Sequence, residues 1–296
     1  MTNLDEMNCL HHGARTTLHG IDVTHLRSHD GASAVVADHG AHVLSWIPAG
    51  GSEALFLSAA SQYGNNTAIR GGIPIIFPQF GELGTGRRHG FARVSPWSLM
   101  EVGLTEEGAA TAQWRLQGSF DPVANPGLCG MYCLELAIRL VADTLEIALT
   151  IDNPSTSDWE CNAALHTYLH VDDLATSRLY GLEAMPYVNQ AQPGAPDLLQ
   201  AATPLGFAHE VDRIYPNAPT PLQLQDQRRK ISVTQNNFKD TVVWNPGIEK
   251  ARQLHDLQSN GYQCFVCIEA AAVSQPIRLA SGMRWHGTQQ LQVVTD

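Results

Sequence analysis

No stretch of this chain approaches the roughly 18 consecutive apolar residues that a membrane-spanning helix requires. The opening residues, MTNLDEMNCLHHGAR, lack a basic patch followed by an apolar core, so no secretory leader is expected. Positive charge is in short supply: 18 Lys and Arg stand against 29 Asp and Glu, a formal net charge of −11. An acidic surface disfavours nonspecific binding to nucleic acid or anionic lipid, and neither is expected as a partner. Cysteine is sparse and scattered, at Cys9, Cys129, Cys133, Cys161, Cys264 and Cys267, which reads as reduced thiols in a cytoplasmic protein. Helical periodicity is nearly missing, with Glu249–Leu257 the best short candidate, and there is no internal repeat or low-complexity tract.

The dominant pattern has a period of two. In Cys133–Leu140 the residues Leu134, Leu136, Ile138 and Leu140 alternate with Glu135 and Arg139. Leu145, Ile147, Leu149 and Ile151 repeat the pattern in Thr144–Asp152, so a hairpin with one buried face is expected. Trp159–Val171 reads as one strand, with Cys161, Ala163, Leu165 and Leu169 on one face and Asn162, His166, Tyr168 and His170 on the other. Further short runs at Ala34–Ala37, Ala41–Ile47, Trp97–Val102, Thr111–Leu116, Ile231–Thr234, Thr241–Trp244, Tyr262–Ala270, Ile277–Leu279 and Gln289–Val294 imply an all-β sandwich or barrel. With 44% hydrophobic and 16% charged residues over 296 positions, residues 31–296 suffice for one large domain. Residues 1–30 read as an arm or edge segment, and the Pro- and Gly-rich 191–206 as a long loop.

The segment RGGIPIIFPQFGELGTGRRHGFAR, residues 70–93, gathers four arginines and a histidine among glycines and suggests an anion site. Gly81-x4-Gly86 has the glycine spacing of a nucleotide P-loop, but Arg87 and Arg88 stand where Lys and Ser or Thr are required. No helical period follows to aim backbone N–H groups at a phosphate, and Pro96 interrupts the run, so the P-loop reading fails.

Metal chemistry also finds no motif. Cys264 and Cys267 lie an odd step apart on a strand-like run and should face opposite ways. His166 and His170 share a face but are separated by about 13 Å on a regular strand. Neither His-x-His nor His-Glu-x-x-His occurs, and no Gly-x-Ser-x-Gly marks a nucleophilic serine.

Three residues suit acid–base work. His166 is mid-strand on a polar face, where it is either a solvated side chain or a functional one. Glu269 ends the apolar run YQCFVCIEAAAV. It is a structural ion-pair partner, a strand-end residue in solvent, or a base whose pKa is raised by apolar surroundings. Asp212, in HEVDRIY, either pairs with Arg213 or serves a site.

Six segments in order resemble the glucose-6-phosphate 1-epimerases of the aldose 1-epimerase superfamily. They are RGGIPIIFPQFG (70–81), HGFAR (89–93) with PW at 96–97, ALHTYLHV (164–171), EVDRIY (210–215), VVWNPGIEKA (242–251) and VCIEAAAV (266–273). The likeness spans about residues 30–294 and implies a galactose mutarotase-like β-supersandwich. It implies that His166 is the general acid for the ring oxygen and Glu269 the general base for the anomeric hydroxyl. It further implies that His89 and Asp212 hold the sugar, that Arg70 and Arg93 bind a phosphate, and that Gln79 faces the substrate where many members carry an aromatic residue. Arg87 or Arg88 could add to the phosphate site on local charge. The implied substrate is a hexose 6-phosphate, handled by a monomeric enzyme without cofactor or metal, because anomer exchange needs only an acid and a base. A mutarotase of neutral aldoses and a non-catalytic sugar-binding protein are the alternatives.

Overall fold

The computed structural model describes residues 10–294 apart from 65, 193 and 195–197. The described residues form two eight-stranded sheets and one four-stranded sheet, and every strand pairing among them is antiparallel.

The four-stranded sheet runs Arg15–Leu18, Ile21–Arg27, Ser33–Ala37, His42–Ile47. Residues 15–27 therefore form two paired strands. One eight-stranded sheet, here the outer sheet, is built on the expected hairpin of Met131–Val141 and Thr144–Asp152, flanked by Ala110–Ser119 and Arg284–Val294. The other carries the site. Its strands follow the order Leu198–Leu199, Pro186–Asn189, Val211–Pro216, Asp240–Asn245, Phe265–Leu279, Trp159–Leu165, Ile75–Ile76.

Alternation decides what each face does. Val266, Ile268, Ala270 and Ala272 join the main core with Leu134, Leu136, Leu145, Ile147 and Leu149 of the outer sheet. Phe265, Cys267, Ala271 and Val273 point to the opposite face, into two smaller apolar clusters. Glu269 falls on that second face, between Cys267 in one small cluster and Ala271 in the other.

Trp159–Val171 is not one strand. It breaks into Trp159–Leu165 and Tyr168–His170, both paired with Phe265–Leu279. The register is the same on either side of the break: Leu165 pairs with Ala270, and Tyr168 with Cys267. His166 therefore stands directly across from Glu269. At the break the Thr167 N–H turns back to the Leu165 carbonyl at 3.0 Å instead of pairing across to Ile268, while the His166 N–H donates to the Pro74 carbonyl at 3.0 Å, in register with the Ile75–Ile76 pairing. Gln289 of the outer sheet reaches through the core to the gap. Its Nε2 donates to the Ile268 carbonyl at 3.0 Å, and its Oε1 accepts from the Thr167 hydroxyl at 2.5 Å. Buried backbone polar groups must be satisfied, and Gln289 does this for the Ile268 carbonyl at the break.

The helix expected at Glu249–Leu257 is a single turn at Gly247–Ala251, and a 3₁₀ turn at Gly261–Cys264 precedes the long strand Phe265–Leu279. Among the described residues no helix is long and apolar enough to cross a membrane.

Candidate active site

The second face of the site sheet floors a cavity of about 430 Å³. Strands bring it Asp212, Val242, Trp244 and Glu269, the break after Leu165 brings His166, and the segment 70–89 brings Arg70, Phe80, Leu83, Arg88 and His89. Lys250 enters from the short helix.

His166 Nε2 lies 3.4 Å from Glu269 Oε1. That is near enough for strong electrostatic coupling but longer than a charge-assisted hydrogen bond. Glu269 is only 1% exposed, and Glu269 Oε2 and His166 Nδ1 are buried without hydrogen-bond partners. An unsatisfied buried polar atom costs about 1–3 kcal/mol. Such orphaned atoms are the exception in folded proteins, and here two of them belong to neighbouring titratable side chains. Burial pushes Glu269 well above the usual carboxylate range, Asp212 adds to this and Arg93 opposes it. Burial pulls His166 well below the usual imidazole range, and the charges of Arg93, Arg70 and Arg88 pull the same way. These surroundings favour neutral imidazole and protonated carboxyl in the pair.

His166 is fixed by rings. It stacks on Tyr168 at 4.9 Å between centroids, and meets His89 edge-on at 5.7 Å and Trp244 at 5.9 Å. His89 Nδ1 accepts a hydrogen bond from the Gly81 N–H at 3.2 Å. Burial, Arg93 and His166 hold His89 neutral, so its proton is on Nε2, and that atom is a donor.

Asp212 faces Lys250, with Nζ 3.7 Å from Oδ2, while the same Nζ lies 2.7 Å from Glu210 Oε1. Burial pushes Asp212 up to about 6, with Lys250 resisting and Glu210 adding to the rise. Asp212 does not pair with Arg213, which turns to the other face and lies over the Tyr187 ring at 4.3 Å.

Arg70 is a braced cation. Its Nε and Nη2 donate to Asp256 at 3.2 and 3.1 Å, and its Nη1 donates to the Tyr168 hydroxyl at 3.0 Å. Gly71 follows at φ 115°, where a Cβ would sit 2.3 Å from the Phe56 carbonyl oxygen. Neutral His42, lowered to about 3 by burial, donates from Nε2 to the Gly71 carbonyl at 2.7 Å. Arg88 lines the cavity with no acidic partner among the described residues. Arg87 does not line it, and its guanidinium is bound to the Asn66 side chain and carbonyl.

Two expected substrate contacts sit elsewhere. Gln79 does not line this cavity: its carboxamide is turned into the loop 81–89 and hydrogen-bonds Gly81 and Gly86. Its carboxamide thereby satisfies backbone groups of that loop, the Gly86 N–H and the Gly81 carbonyl. Arg93 also lies outside the lining. Its Nη2 donates to the Arg88 carbonyl at 3.1 Å, so it holds the loop from behind. Lys250, Trp244, Asp256 and Gln289 were not singled out from the sequence. Only Lys250 and Trp244 carried a signal, within VVWNPGIEKA.

The geometry is that of one acid–base pair beside polar and cationic groups. A sequence model described as Aldose 1-epimerase matches residues 22–292. The chain belongs to that family. A protein of Cenchrus ciliaris named "Putative glucose-6-phosphate 1-epimerase" is 31% identical over 286 residues, covering 93% of this chain and 85% of its own. A protein of the same name from Escherichia coli is 32% identical over 272 residues, covering 90% and 88%. The crystal structure of a "putative mutarotase" from Salmonella typhimurium superposes with a TM-score of 0.85 at 26% identity, over 95% of this chain and 93% of that one. The chain thus has the galactose mutarotase-like fold, and its chemistry is that of an aldose 1-epimerase, interconverting sugar anomers.

Proposed function

We propose that this aldose 1-epimerase acts on hexose 6-phosphates, with glucose 6-phosphate as the reference substrate. The observation that carries the reading is the placement of Arg70 and Arg88 on the wall of the same cavity whose floor holds His166 and Glu269. Guanidinium groups bind phosphate through forked, charge-assisted bonds. The buried charge of Arg93 adds attraction from behind. The names of the plant and bacterial relatives agree with this substrate.

In this reading Glu269 takes the proton from the anomeric hydroxyl while His166 protonates the ring oxygen. The C1–O5 bond breaks to give the open aldehyde, rotation about C1–C2 exposes the other carbonyl face, and the ring closes with the roles reversed. The reaction needs His166 charged and Glu269 ionised, the opposite of what the protein surroundings alone favour. Arg70 and Arg88 are among the charges that keep a proton off His166. A bound phosphate dianion offsets them and so raises His166 towards its acid form. His89, as an Nε2 donor, and Asp212, as an acceptor, hold the sugar hydroxyls.

The test is anomer exchange across a panel of hexoses and hexose 6-phosphates, followed by magnetisation-transfer NMR. A preference for the phosphorylated sugars is expected; equal or better turnover of neutral sugars would make this a neutral-aldose mutarotase.

A pH dependence follows from Asp212. It is ionised above about pH 6 and protonated below, so kcat/KM should fall as pH drops through that value. Lys250 lowers this pKa, and Lys250→Met should therefore move the fall to higher pH. The substrate phosphate also titrates near 6, but identically for both enzymes, so the displacement between the two profiles isolates Asp212. Superimposable profiles would rule out the role.

A further inference from the structure

We propose that Gln79 is a positioning residue: its carboxamide is the template on which residues 81–89 close, and it thereby sets where Arg88 and His89 meet the substrate. This deepens, and for Arg88 rests on, the hexose 6-phosphate reading.

The loop has no helix or strand of its own. Its neck is closed by two contacts: His89 N–H donates to the Gly81 carbonyl at 3.0 Å, and Gly81 N–H donates to His89 Nδ1 at 3.2 Å. The Gln79 side chain fills the ring so formed. Its Oε1 accepts from the Gly86 N–H at 2.9 Å, and its Nε2 donates to the Gly81 carbonyl at 3.1 Å, with a longer contact to the Gly86 carbonyl at 3.4 Å. The backbone approaches so closely that a Cβ at Gly84 would lie 2.3 Å from Gln79 Oε1. This gives the glycines of ELGTGRR a purpose unrelated to nucleotide binding: they let the chain wrap a buried amide.

Packing cannot hold this loop in place. Behind it lies a second cavity of about 340 Å³, lined by Gln79, Leu83, Gly84–Gly86 and the segment 125–128 on the far side. Leu83 borders both spaces. The loop is thus a wall with open volume on two sides, so its position depends on hydrogen bonds. Besides the contacts at its neck, three side chains from the loop and its flanks supply them: Arg93 at the Arg88 carbonyl, Arg87 at Asn66, and Gln79 at the centre. Gln79 is the one that touches both the start and the middle of the loop.

The experiment compares wild type, Gln79→Met, which keeps length and removes all three contacts, and Gly84→Ala, which drives a methyl group against the Gln79 oxygen. Steady-state kcat and KM are measured on glucose 6-phosphate and glucose, with thermal midpoints alongside. A displaced binding wall should raise KM about tenfold or more with kcat nearly retained and the midpoint little changed. Gly84→Ala should show the same split, which keeps the test open if Gln79→Met folds poorly. Unchanged KM in the folded variants, or a fall in kcat and midpoint with KM constant, overturns the proposal. The wild-type ratio of the two substrates tests the phosphate reading separately. If wild type prefers glucose, the variants must still raise KM for glucose through His89, and an unchanged value there overturns the positioning role.

Discussion

Glu269→Gln is expected to slow anomer exchange by a factor on the order of 10²–10⁴ while the protein stays folded. The substitution keeps the shape and removes only the capacity to accept a proton from the anomeric hydroxyl. Burial makes its effect on stability favourable. The folded state holds the Glu269 carboxyl well above its ordinary pKa, so the folded protein binds this proton more tightly than the unfolded chain does. Between the two pKa values the wild type therefore loses stability as pH rises. Glutamine has no such slope, and the variant should melt at the same or a higher temperature than wild type at neutral pH. Magnetisation-transfer NMR and a thermal scan at two pH values read both effects. Near-normal exchange by the variant would remove Glu269 from the mechanism.

The second large effect is one of discrimination. Arg70→Ala and Arg88→Ala should each lower kcat/KM for glucose 6-phosphate far more than for glucose. A hydrogen bond to a charged group contributes about 1.5–3 kcal/mol, or roughly 10- to 150-fold at 1.4 kcal/mol per decade. The two arginines control for one another. Removing Arg70 also strands Asp256 and the Tyr168 hydroxyl, so some loss of stability accompanies it. Arg88 has no acidic partner among the described residues, and its removal should leave the thermal midpoint unchanged. Parallel losses on both substrates, in both variants, would mean that the arginines shape the cavity without binding phosphate.

Much of the site was legible because a strand's faces are set by parity. Once 265–273 is taken as a strand, parity puts Glu269 on the face opposite Ile268 and Ala270, and a lone carboxylate in an apolar run stands out. The hairpin strand Thr144–Asp152 was likewise bounded by its own pattern and turn. Short strands such as Arg178–Tyr180 and Pro186–Asn189 escaped, since three or four residues cannot display a period.

The break at His166–Thr167 has no local signature, because the residues on both sides keep the alternation. There the Thr167 N–H turns back to the Leu165 carbonyl, and Gln289, reaching in from the other sheet, takes the Ile268 carbonyl and the Thr167 hydroxyl in its place. Gln79 shows the same limit. Its place in the resemblance suggested a substrate contact, but the side chain goes to backbone groups of a loop whose path the sequence does not state.

By itself, then, the sequence determined the class of fold, the buried and polar faces of the longer strands, and the residue types of the chemistry. These depend on interactions within a few residues. The tertiary structure decided that His166 stands across from Glu269, that Arg88 rather than Arg87 faces the cavity, and that Gln79 and Arg93 serve the loop. Register and loop path depend on partners far away in the chain, and no local preference encodes them.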